Sequence, residues 1–175
     1  MKTSVYIGTS LDGFIARSNG EIDWLTKFED SVREQYAAFI RTIDAIVIGR
    51  GTFETVLTYA SWPYDKKVYV LSNTLRHPPD GISGDVTVLS MKPAELLKDL
   101  SARGHAHVYV DGGKVIQGFL RDDCIDEMII TRAPVILGSG IPLFSSVEKV
   151  IHWEHLHTKS FPNGLVSSHY RRAGR

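Results

Sequence analysis

The sequence predicts an α/β fold in which helices flank a mostly parallel central sheet and antiparallel strands complete it near the C-terminus. Short apolar runs rich in β-branched residues alternate with segments of helical periodicity. Near the end of the chain, strand-like runs are instead separated by Pro162-Asn163-Gly164, which predicts an antiparallel hairpin. With 175 residues, of which 43% are hydrophobic, we expect a single domain over residues 1–175.

The predicted strands follow from β-branched runs bounded by turn residues. The turn-prone pair Asp12-Gly13 joins the first two strands, and the uninterrupted apolar run at residues 45–49 is typical of a strand covered on both faces. The predicted strands are Thr3–Gly8, Gly13–Ala16, Ala45–Gly49, Lys67–Leu71, Val86–Leu89, His107–Val110, Glu127–Thr131 and Val150–His157.

Helices are predicted between the strands. Ser31 and Glu34 have capping-box spacing at the start of a segment whose apolar residues recur every three or four positions up to Ile43. A short helix follows around Phe53. Pro93 opens another that stops at Gly104, and a last one covers Val115–Leu120.

Charge and cysteine content exclude several classes of function. Lys plus Arg and Asp plus Glu both total 20, so no net field would attract nucleic acid or an anionic membrane. A single cysteine, Cys124, predicts a reduced, cytoplasmic setting, and no apolar run is long enough to span a bilayer. His155 and His157 alternate onto one strand face without an identifiable third ligand, so we expect no metal site.

Candidate binding residues follow three of the predicted strands, where helix N-termini expose free N–H groups. They are Gly49, Arg50 and Thr52 after the third strand, Leu71, Ser72 and Asn73 at the end of the fourth, and Gly112 and Gly113 after the sixth. Each group has a simpler interpretation as a helix cap, an ordinary loop or a tight turn. Together, donors, hydroxyls and cations suit a phosphorylated nucleotide, although the GxGxxG fingerprint of dinucleotide-binding folds is absent.

Five stretches, taken in order, resemble the dihydrofolate-reductase-like superfamily. They are "SLDGFIA", "DAIVIGRGTFE", "VYVLSNT", "VYVDGGKVIQGFL" and "PVILGSGIPLF". The sequence is most similar to the C-terminal reductase domain of the bifunctional riboflavin-biosynthesis deaminase/reductase, in a stand-alone form. This resemblance implies a dihydrofolate-reductase-like three-layer fold and a homodimer. It also implies NADPH-dependent hydride transfer to a heterocyclic small molecule, most like 5-amino-6-(5-phosphoribosylamino)uracil reductase.

The resemblance also assigns the cofactor contacts. It implies that Gly49, Arg50 and Thr52 approach the cofactor phosphates and that Leu71, Ser72 and Asn73 border the adenosine. Lys114 would join Arg50 near the 2′-phosphate, with backbone contacts from Val115 and Ile116, and two cations favour NADPH over NADH. A cis peptide bond between Gly112 and Gly113 is a further implication.

On the substrate side, the segment from Thr9 to Leu25 resembles the loop that lies against the nicotinamide. Ser10 and Asp12 are the candidates for contact with substrate, and Asp12 is the candidate catalytic residue, although Asp-Gly is also plain turn chemistry. Gly138 and Gly140 could expose N–H groups to substrate or simply form a tight connection.

One departure concerns the first long helix. True dihydrofolate reductases carry a carboxylate there, whereas an ungapped count places Arg33 near that position, with Glu34 beside it. This leaves two alternatives to the favoured reductase: a dihydrofolate reductase proper, or a nucleotide-binding protein without turnover.

Overall fold

A computed structural model describes residues 1–174, so Arg175, the last residue of the predicted domain, lies outside the described residues. The chain folds into an eight-stranded sheet and a separate two-stranded sheet. The strands are β1 (Lys2–Thr9), β2 (Phe14–Ala16), β3 (Ala45–Gly49), β4 (Lys67–Leu71), β5 (Val86–Leu89), β6 (His107–Asp111), β7 (Glu127–Arg132), β8 (Ile141–Pro142), β9 (Trp153–Ser160) and β10 (Val166–Arg172).

The large sheet has the strand order β5-β4-β3-β6-β1-β7-β10-β9. Every pair from β5 across to β7 is parallel, whereas β10 runs antiparallel to both β7 and β9. Strands β2 and β8 pair with each other beside the main sheet. The predicted mostly parallel sheet with antiparallel C-terminal strands is therefore confirmed.

Helices cover both faces of the sheet. They are α1 (Asp23–Thr26), α2 (Glu29–Ile40), α3 (Arg50–Val56), α4 (Pro93–Ala102) and α5 (Gly113–Arg121). On one face, Phe39 of α2 and Phe53 of α3 lie in a core with Ile46 and Ile48. On the other, side chains of α4 and α5 pack against Val47 and neighbouring strands. Two apolar cores on opposite faces make a three-layer fold.

Helix α4 begins at Pro93, as predicted. The Lys92 N–H donates to the Glu95 carboxylate at 3.4 Å, which ties the first turn of the helix. The predicted capping box of Ser31 and Glu34 is wrong, because α2 already begins at Glu29 and places Ser31 inside the helix. The Ser31 hydroxyl accepts a hydrogen bond from Asn163 instead, at 2.6 Å.

The closing hairpin forms where the turn signal predicts, between β9 and β10. Strand β9 begins at Trp153 and runs to Ser160, later than the predicted Val150–His157. The short strand β8 is absent from the sequence prediction. Among residues 1–174, no helix combines the length and the apolar character that a bilayer crossing requires.

Candidate functional site

Three turns meet at the carboxyl edge of the large sheet, because β4, β3 and β6 are neighbours and end at the same level. Gly49 is in register with Leu71, and Ile48 with Asp111. The turns that follow these strands carry the nucleotide-binding residues predicted from the sequence. We call these turns, residues 49–52, 71–74 and 111–115, the three-turn edge.

Side chains and glycines interlock where α3 and α5 begin. A β-carbon added to Gly112 would lie 2.4 Å from the Thr52 hydroxyl oxygen, and one added to Gly49 would lie 2.9 Å from a Val115 methyl. Arg50 reaches across to the turn after β4, where its guanidinium donates to the Thr74 hydroxyl at 2.7 Å. The structure therefore brings Gly49, Thr52 and Gly112 into direct proximity.

The glycine pair has a structural explanation that differs from the expected one. No peptide bond within residues 1–174 is cis, so the predicted cis linkage between Gly112 and Gly113 is wrong. Gly112 makes the turn from β6 into α5 with a φ of +94°, a conformation that side chains disfavour. A β-carbon on Gly113 would lie 3.0 Å from Ile141 and 3.1 Å from Ile15. Because neither glycine has a side chain, Thr52 can pack closely against Gly112, and Ile141 and Ile15 can pack closely against Gly113.

The turn after β4 is organised by its own hydroxyl groups. Ser72 accepts hydrogen bonds from the N–H groups of Thr74 at 3.2 Å and Leu75 at 2.9 Å. The Asn73 side-chain oxygen accepts from Ser90 at 2.7 Å. Leu71 and Ser72 are half-buried, and Asn73 is exposed. Ser72 and Asn73 thus form a hydrogen-bonded polar rim at one end of the three-turn edge.

The start of α5 presents both a cation and free backbone donors. The first-turn N–H groups of any α-helix lack intrahelical acceptors, and here no side chain caps them. Lys114 is exposed and forms no ion pair within residues 1–174. The Ile116 N–H already donates to Gly112 at 2.9 Å, and its side chain is buried in the core, so Ile116 serves packing.

Arg50 is held by two partners. Its Nε donates to Glu54 at 2.6 Å, an i,i+4 pair on α3 whose side chains are about half exposed. Its second contact is the Thr74 hydroxyl described above. The three-turn edge therefore combines an oriented guanidinium, a lysine, a threonine hydroxyl and uncapped N–H groups, which is the donor set that phosphate oxygens require.

Asp111 is the functional candidate that sequence reasoning missed. It ends β6 directly before the glycine pair, and its carboxylate accepts the Gly112 N–H at 2.8 Å. Burial raises the pKa of this carboxyl from 3.8 to about 6, opposed by hydrogen bonding from Gly112 and Tyr109. A carboxylic acid closing an apolar strand was the signal available in the sequence.

Three tyrosines lie within electrostatic reach of Asp111, and one of them, Tyr109, packs in the core that α2 covers. Burial, followed by the charge of Asp111, raises the pKa values of Tyr36, Tyr64 and Tyr109, that of Tyr36 to about 12. The Tyr36 ring lies 5.3 Å from that of Tyr6, and the Tyr109 hydroxyl donates to the Tyr6 carbonyl at 2.9 Å. We call Tyr6, Tyr36, Tyr64, Tyr109 and Asp111 the tyrosine pocket.

Ser10 and Asp12 form a second polar cluster, on the loop between β1 and β2. The Ser10 hydroxyl is buried, donates to Asp12 at 2.6 Å and accepts from the Phe14 N–H at 3.0 Å. The Asp12 carboxylate also accepts the N–H groups of Leu137 at 3.1 Å and Gly138 at 2.7 Å. These bonds, led by that from Ser10, lower the pKa of Asp12.

This second cluster ties two loops together. The Gly138 N–H, predicted to face substrate, is occupied by Asp12, and a β-carbon on Gly140 would lie 2.3 Å from the Ala16 carbonyl oxygen. Ile141 and Ile15 connect these loops to the three-turn edge through their contact with Gly113. The hydrogen bonds of Ser10 and Asp12 thus hold together the loops that border the three-turn edge.

The chain resembles known proteins over almost its whole length. Residues 3–167 match the family described as the RibD C-terminal domain. The chain belongs to this family. It is 37% identical to the uncharacterized protein YwjB of Bacillus subtilis over 98% of each chain. A crystal structure of a putative riboflavin biosynthesis protein from Shewanella sp. PV-4 superposes with a TM-score of 0.92, at 39% identity, covering 98% of this chain and 99% of that one.

More distant structures establish the fold of this RibD C-terminal domain. A Thermotoga maritima diaminohydroxyphosphoribosylaminopyrimidine deaminase/5-amino-6-(5-phosphoribosylamino)uracil reductase matches with a TM-score of 0.71 at 20% identity, covering 98% of this chain and 56% of that one. Enterococcus faecalis dihydrofolate reductase matches with a TM-score of 0.66 at 17% identity, covering 98% and 96%. The predicted dihydrofolate-reductase-like fold is confirmed.

The acidic residues of α2, Glu29, Asp30 and Glu34, are all exposed. Arg33, near the position expected for an acid, is exposed and pairs with Asp30 one helical turn earlier. Glu34 is exposed as well. Within the three-turn edge, the carboxyl whose pKa is raised is that of Asp111, at the end of strand β6.

Proposed function

We propose that this protein is an NADPH-dependent reductase that transfers a hydride to a heterocyclic small molecule of the aminopyrimidine class. The Thermotoga maritima relative is described as a reductase of a substituted aminouracil, which supports the class of acceptor. The observation that carries the proposal is the convergence of phosphate-binding groups and a raised-pKa carboxyl, Asp111, on one edge of the sheet.

The cofactor contacts in this proposal follow the donors on the three-turn edge. Arg50, Thr52 and the first-turn N–H groups of α5 would hold phosphate oxygens, and Lys114 would add a charge for the 2′-phosphate. Gly49, Leu71, Ser72 and Asn73 would border the rest of the nucleotide, and the backbone at Gly112, Gly113 and Val115 would approach it closely. Bound NADPH would supply the hydride.

Asp111 would donate the proton that must accompany the hydride. A carboxyl with a pKa of about 6 is partly protonated near neutral pH, so it can hold a proton against a ring nitrogen and release it there. Its hydrogen bond from Gly112 fixes the carboxylate at the edge of the site. Asp12 and Ser10, with Gly138 and Gly140 nearby, would set the position of the bordering loops.

Equilibrium titration tests the cofactor assignment. Calorimetry with NADPH and NADH should give tighter NADPH binding, and Lys114→Glu should weaken NADPH by roughly tenfold or more because it reverses a charge beside a phosphate. Lys98→Glu is the matched control, since Lys98 is an exposed residue on α4, and it should leave both affinities unchanged. Equal affinity for both cofactors and no effect of Lys114→Glu would refute the assignment.

Turnover distinguishes the reductase from a protein that only binds the nucleotide. Oxidation of NADPH should occur with an aminopyrimidine acceptor and should fall by roughly a hundredfold or more in Asp111→Asn, which cannot exchange a proton. Dihydrofolate should support little oxidation, because α2 presents Arg33 near the expected acid. Tight NADPH binding without oxidation across pterins and pyrimidines would favour the binding protein.

We also propose that the protein is a homodimer that associates through the C-terminal sheet face. An apolar groove of about 230 Å³ lies there, and it is lined by Met128, Ile130, Arg132, Phe144, Trp153, Val166, Ser168 and Tyr170. Phe144 is 51% exposed, which is unusual for a large apolar side chain. Light scattering should report twice the 19.5 kDa chain mass, falling to one chain in Phe144→Glu but not in Met91→Glu. A monomeric wild type would overturn the proposal.

A further inference from the structure

The segment 141–145, which begins with strand β8, runs along one face of helix α5. Its contacts with the helix fall at three positions spaced four residues apart, from Gly113 to Arg121, which share one helix face. At the start of the helix, Ile141 packs against Gly113. At its end, the Arg121 guanidinium donates to the Ser145 hydroxyl at 3.4 Å. We call residues 141–145 the strap.

Gln117 makes the middle contact. Its side-chain Nε2 donates to the Pro142 carbonyl at 2.8 Å and lies 3.5 Å from the Leu143 carbonyl oxygen. Gln117 is half-buried, and the Leu143 side chain between the strap and the sheet is buried in the core. Because one amide reaches two successive carbonyls, Gln117 fixes where the strap lies along α5.

The strap in turn locates the first turn of α5. Gly113 is buried, and a β-carbon there would lie 3.0 Å from Ile141, 3.1 Å from Ile15 and 3.4 Å from the Pro142 carbonyl oxygen. Two of these three neighbours belong to the strap. The Gly113 N–H is among the uncapped donors assigned above to cofactor phosphate. A displaced strap would therefore displace these donors.

We infer that Gln117 is a positioning residue that clamps the strap against α5 and so fixes the first turn of that helix for the cofactor phosphates. This inference rests on the proposed function and deepens it, because Gln117 lies one helical turn beyond Gly113 and outside the cofactor contacts. The donors it positions serve phosphates that NADPH and NADH share. Loss of the clamp should therefore weaken both cofactors alike, unlike Lys114→Glu, which acts on the 2′-phosphate of NADPH.

A matched pair of substitutions tests the inference. Gln117→Met keeps the length and helix propensity of the side chain but removes the donor. Gln35→Met is the control, because Gln35 on α2 is also half-buried and donates to the Ser167 hydroxyl at 2.9 Å, so a bond of the same kind is lost elsewhere. Calorimetry should show that NADPH and NADH each bind roughly threefold more weakly to Gln117→Met, as expected for one neutral hydrogen bond, and unchanged to Gln35→Met. Unchanged affinities in Gln117→Met, or equal losses in both variants, overturn the inference.

A second substitution shows whether the effect passes through the strap. Ile141→Ala removes the side chain that packs on Gly113, and it should also weaken both cofactors. If Gln117 acts through the strap, the double variant should lose less affinity than the product of the two single losses, because both changes release the same contact. Losses that simply multiply would overturn the inference.

Hydrogen exchange at the Leu143 amide follows the strap without any cofactor. This N–H donates to the Gly13 carbonyl at 3.0 Å, so its exchange should accelerate roughly threefold or more in Gln117→Met and stay unchanged in Gln35→Met. Equal exchange in Gln117→Met and the wild type overturns the inference. Failure of the proposed function has a different signature: the wild type would then bind neither cofactor, while exchange at Leu143 would still report whether Gln117 holds the strap.

Discussion

The three-turn edge and the tyrosine pocket adjoin at Asp111 and Gly112, yet they are built from opposite chemistry. The edge offers Arg50, Lys114 and uncapped N–H groups, and much of it is exposed. The pocket offers phenolic rings and carboxyl groups, with Asp111 partly desolvated. One region thus presents cations and N–H donors, whereas the other presents a carboxyl group among phenolic rings.

The two regions also differ in how their charged groups affect the stability of the fold. Charges on the exposed edge are solvated and contribute little to folding, whereas the carboxyl of the pocket loses hydration when the protein folds. We therefore expect substitution of Gly112, where the two regions meet, to change the free energy of unfolding most. Substitution of Asp111 in the pocket should change how the free energy of unfolding depends on pH. Substitutions on the exposed edge should change ligand affinity with little effect on folding.

The largest effect is expected at the junction itself. Gly112→Ala places a β-carbon 2.4 Å from the Thr52 hydroxyl oxygen at a φ of +94°, so both contact and backbone oppose it. We expect a loss of about 3 kcal/mol in the free energy of unfolding, measured with urea. Gly118→Ala is the control, because Gly118 lies inside α5 with no atom nearer than 3.9 Å to the added carbon, and it should be neutral or slightly stabilising. Equal effects of the two substitutions would show that the junction is not tightly packed.

The pocket carboxyl should produce the next largest effect. Because the folded pKa of Asp111 is raised to about 6, its stabilising contribution is complete below the ordinary value of 3.8 and is lost as the pH rises through 6. Asp111→Asn cannot ionise and can still accept the Gly112 N–H. The variant should be more stable than the wild type by about 2 kcal/mol at neutral and higher pH, with the difference shrinking toward pH 4.

Urea unfolding of both proteins across this pH range measures that difference. Asp126→Asn is not a suitable control, because Asp126 accepts the Thr3 N–H at 2.8 Å. Asp80→Asn is suitable, since Asp80 is exposed. A difference that is independent of pH would mean that Asp111 is as well solvated as a surface carboxyl, and the contrast between edge and pocket would fail.

A smaller, local effect is expected where the Asp12 loop borders the edge. Asp12→Ala removes the acceptor for the N–H groups of Leu137 and Gly138, so hydrogen exchange at these two amides should accelerate by roughly tenfold or more. The pKa of Asp12 is lowered, so the contribution of the tether to stability is present above the ordinary carboxyl pKa and is lost as the pH falls through the lowered value.

Asp80→Ala provides the comparison for this exchange measurement and should leave both amides protected. If the amides of Leu137 and Gly138 exchange at the same rate in Asp12→Ala and in the wild type, the carboxylate does not hold the loop. The role of Asp12 would then have to be sought in direct contact with substrate.

Local patterns in the sequence identified the edge but not the pocket. The turns after β3, β4 and β6 could be predicted because each comes after a β-branched run that ends in glycine or small polar residues. They lie side by side because the three strands pair in parallel. The raised pKa of Asp111 depends on its burial, and Asp111 in turn raises the pKa values of Tyr36 on α2 and Tyr64 in the segment before β4. A local sequence pattern does not predict which aromatic side chains, distant in the sequence, will lie near a carboxyl group.

Two further differences have the same origin. Ser31 has the spacing of a capping residue, but its hydroxyl binds Asn163 of the hairpin turn, a contact 132 residues away in the chain. Strand β9 is at the sheet edge and mostly exposed, so no buried face fixes its bounds, and its start lies after the predicted Val150. A long-range hydrogen bond thus engages the Ser31 hydroxyl, and the lack of a buried face leaves the start of β9 without a clear sequence signal.

The smallest effect on folding, with a change in affinity, is expected at the exposed edge. Glu54 accepts a hydrogen bond from Arg50 at 2.6 Å, and the two side chains are 54% and 50% exposed. Exposed pairs of this kind contribute about 0.5 kcal/mol or less, so Glu54→Gln should leave the free energy of unfolding nearly unchanged. The same substitution removes a negative charge that competes for Arg50, so NADPH should bind about threefold more tightly, and NADH, which lacks the 2′-phosphate, should gain less. Asp99→Gln, which removes the partner of Arg103 in the comparable pair on α4, should change neither affinity. Calorimetry on the three proteins separates the outcomes, and weaker NADPH binding in Glu54→Gln would instead show that Glu54 orients Arg50 for the phosphate.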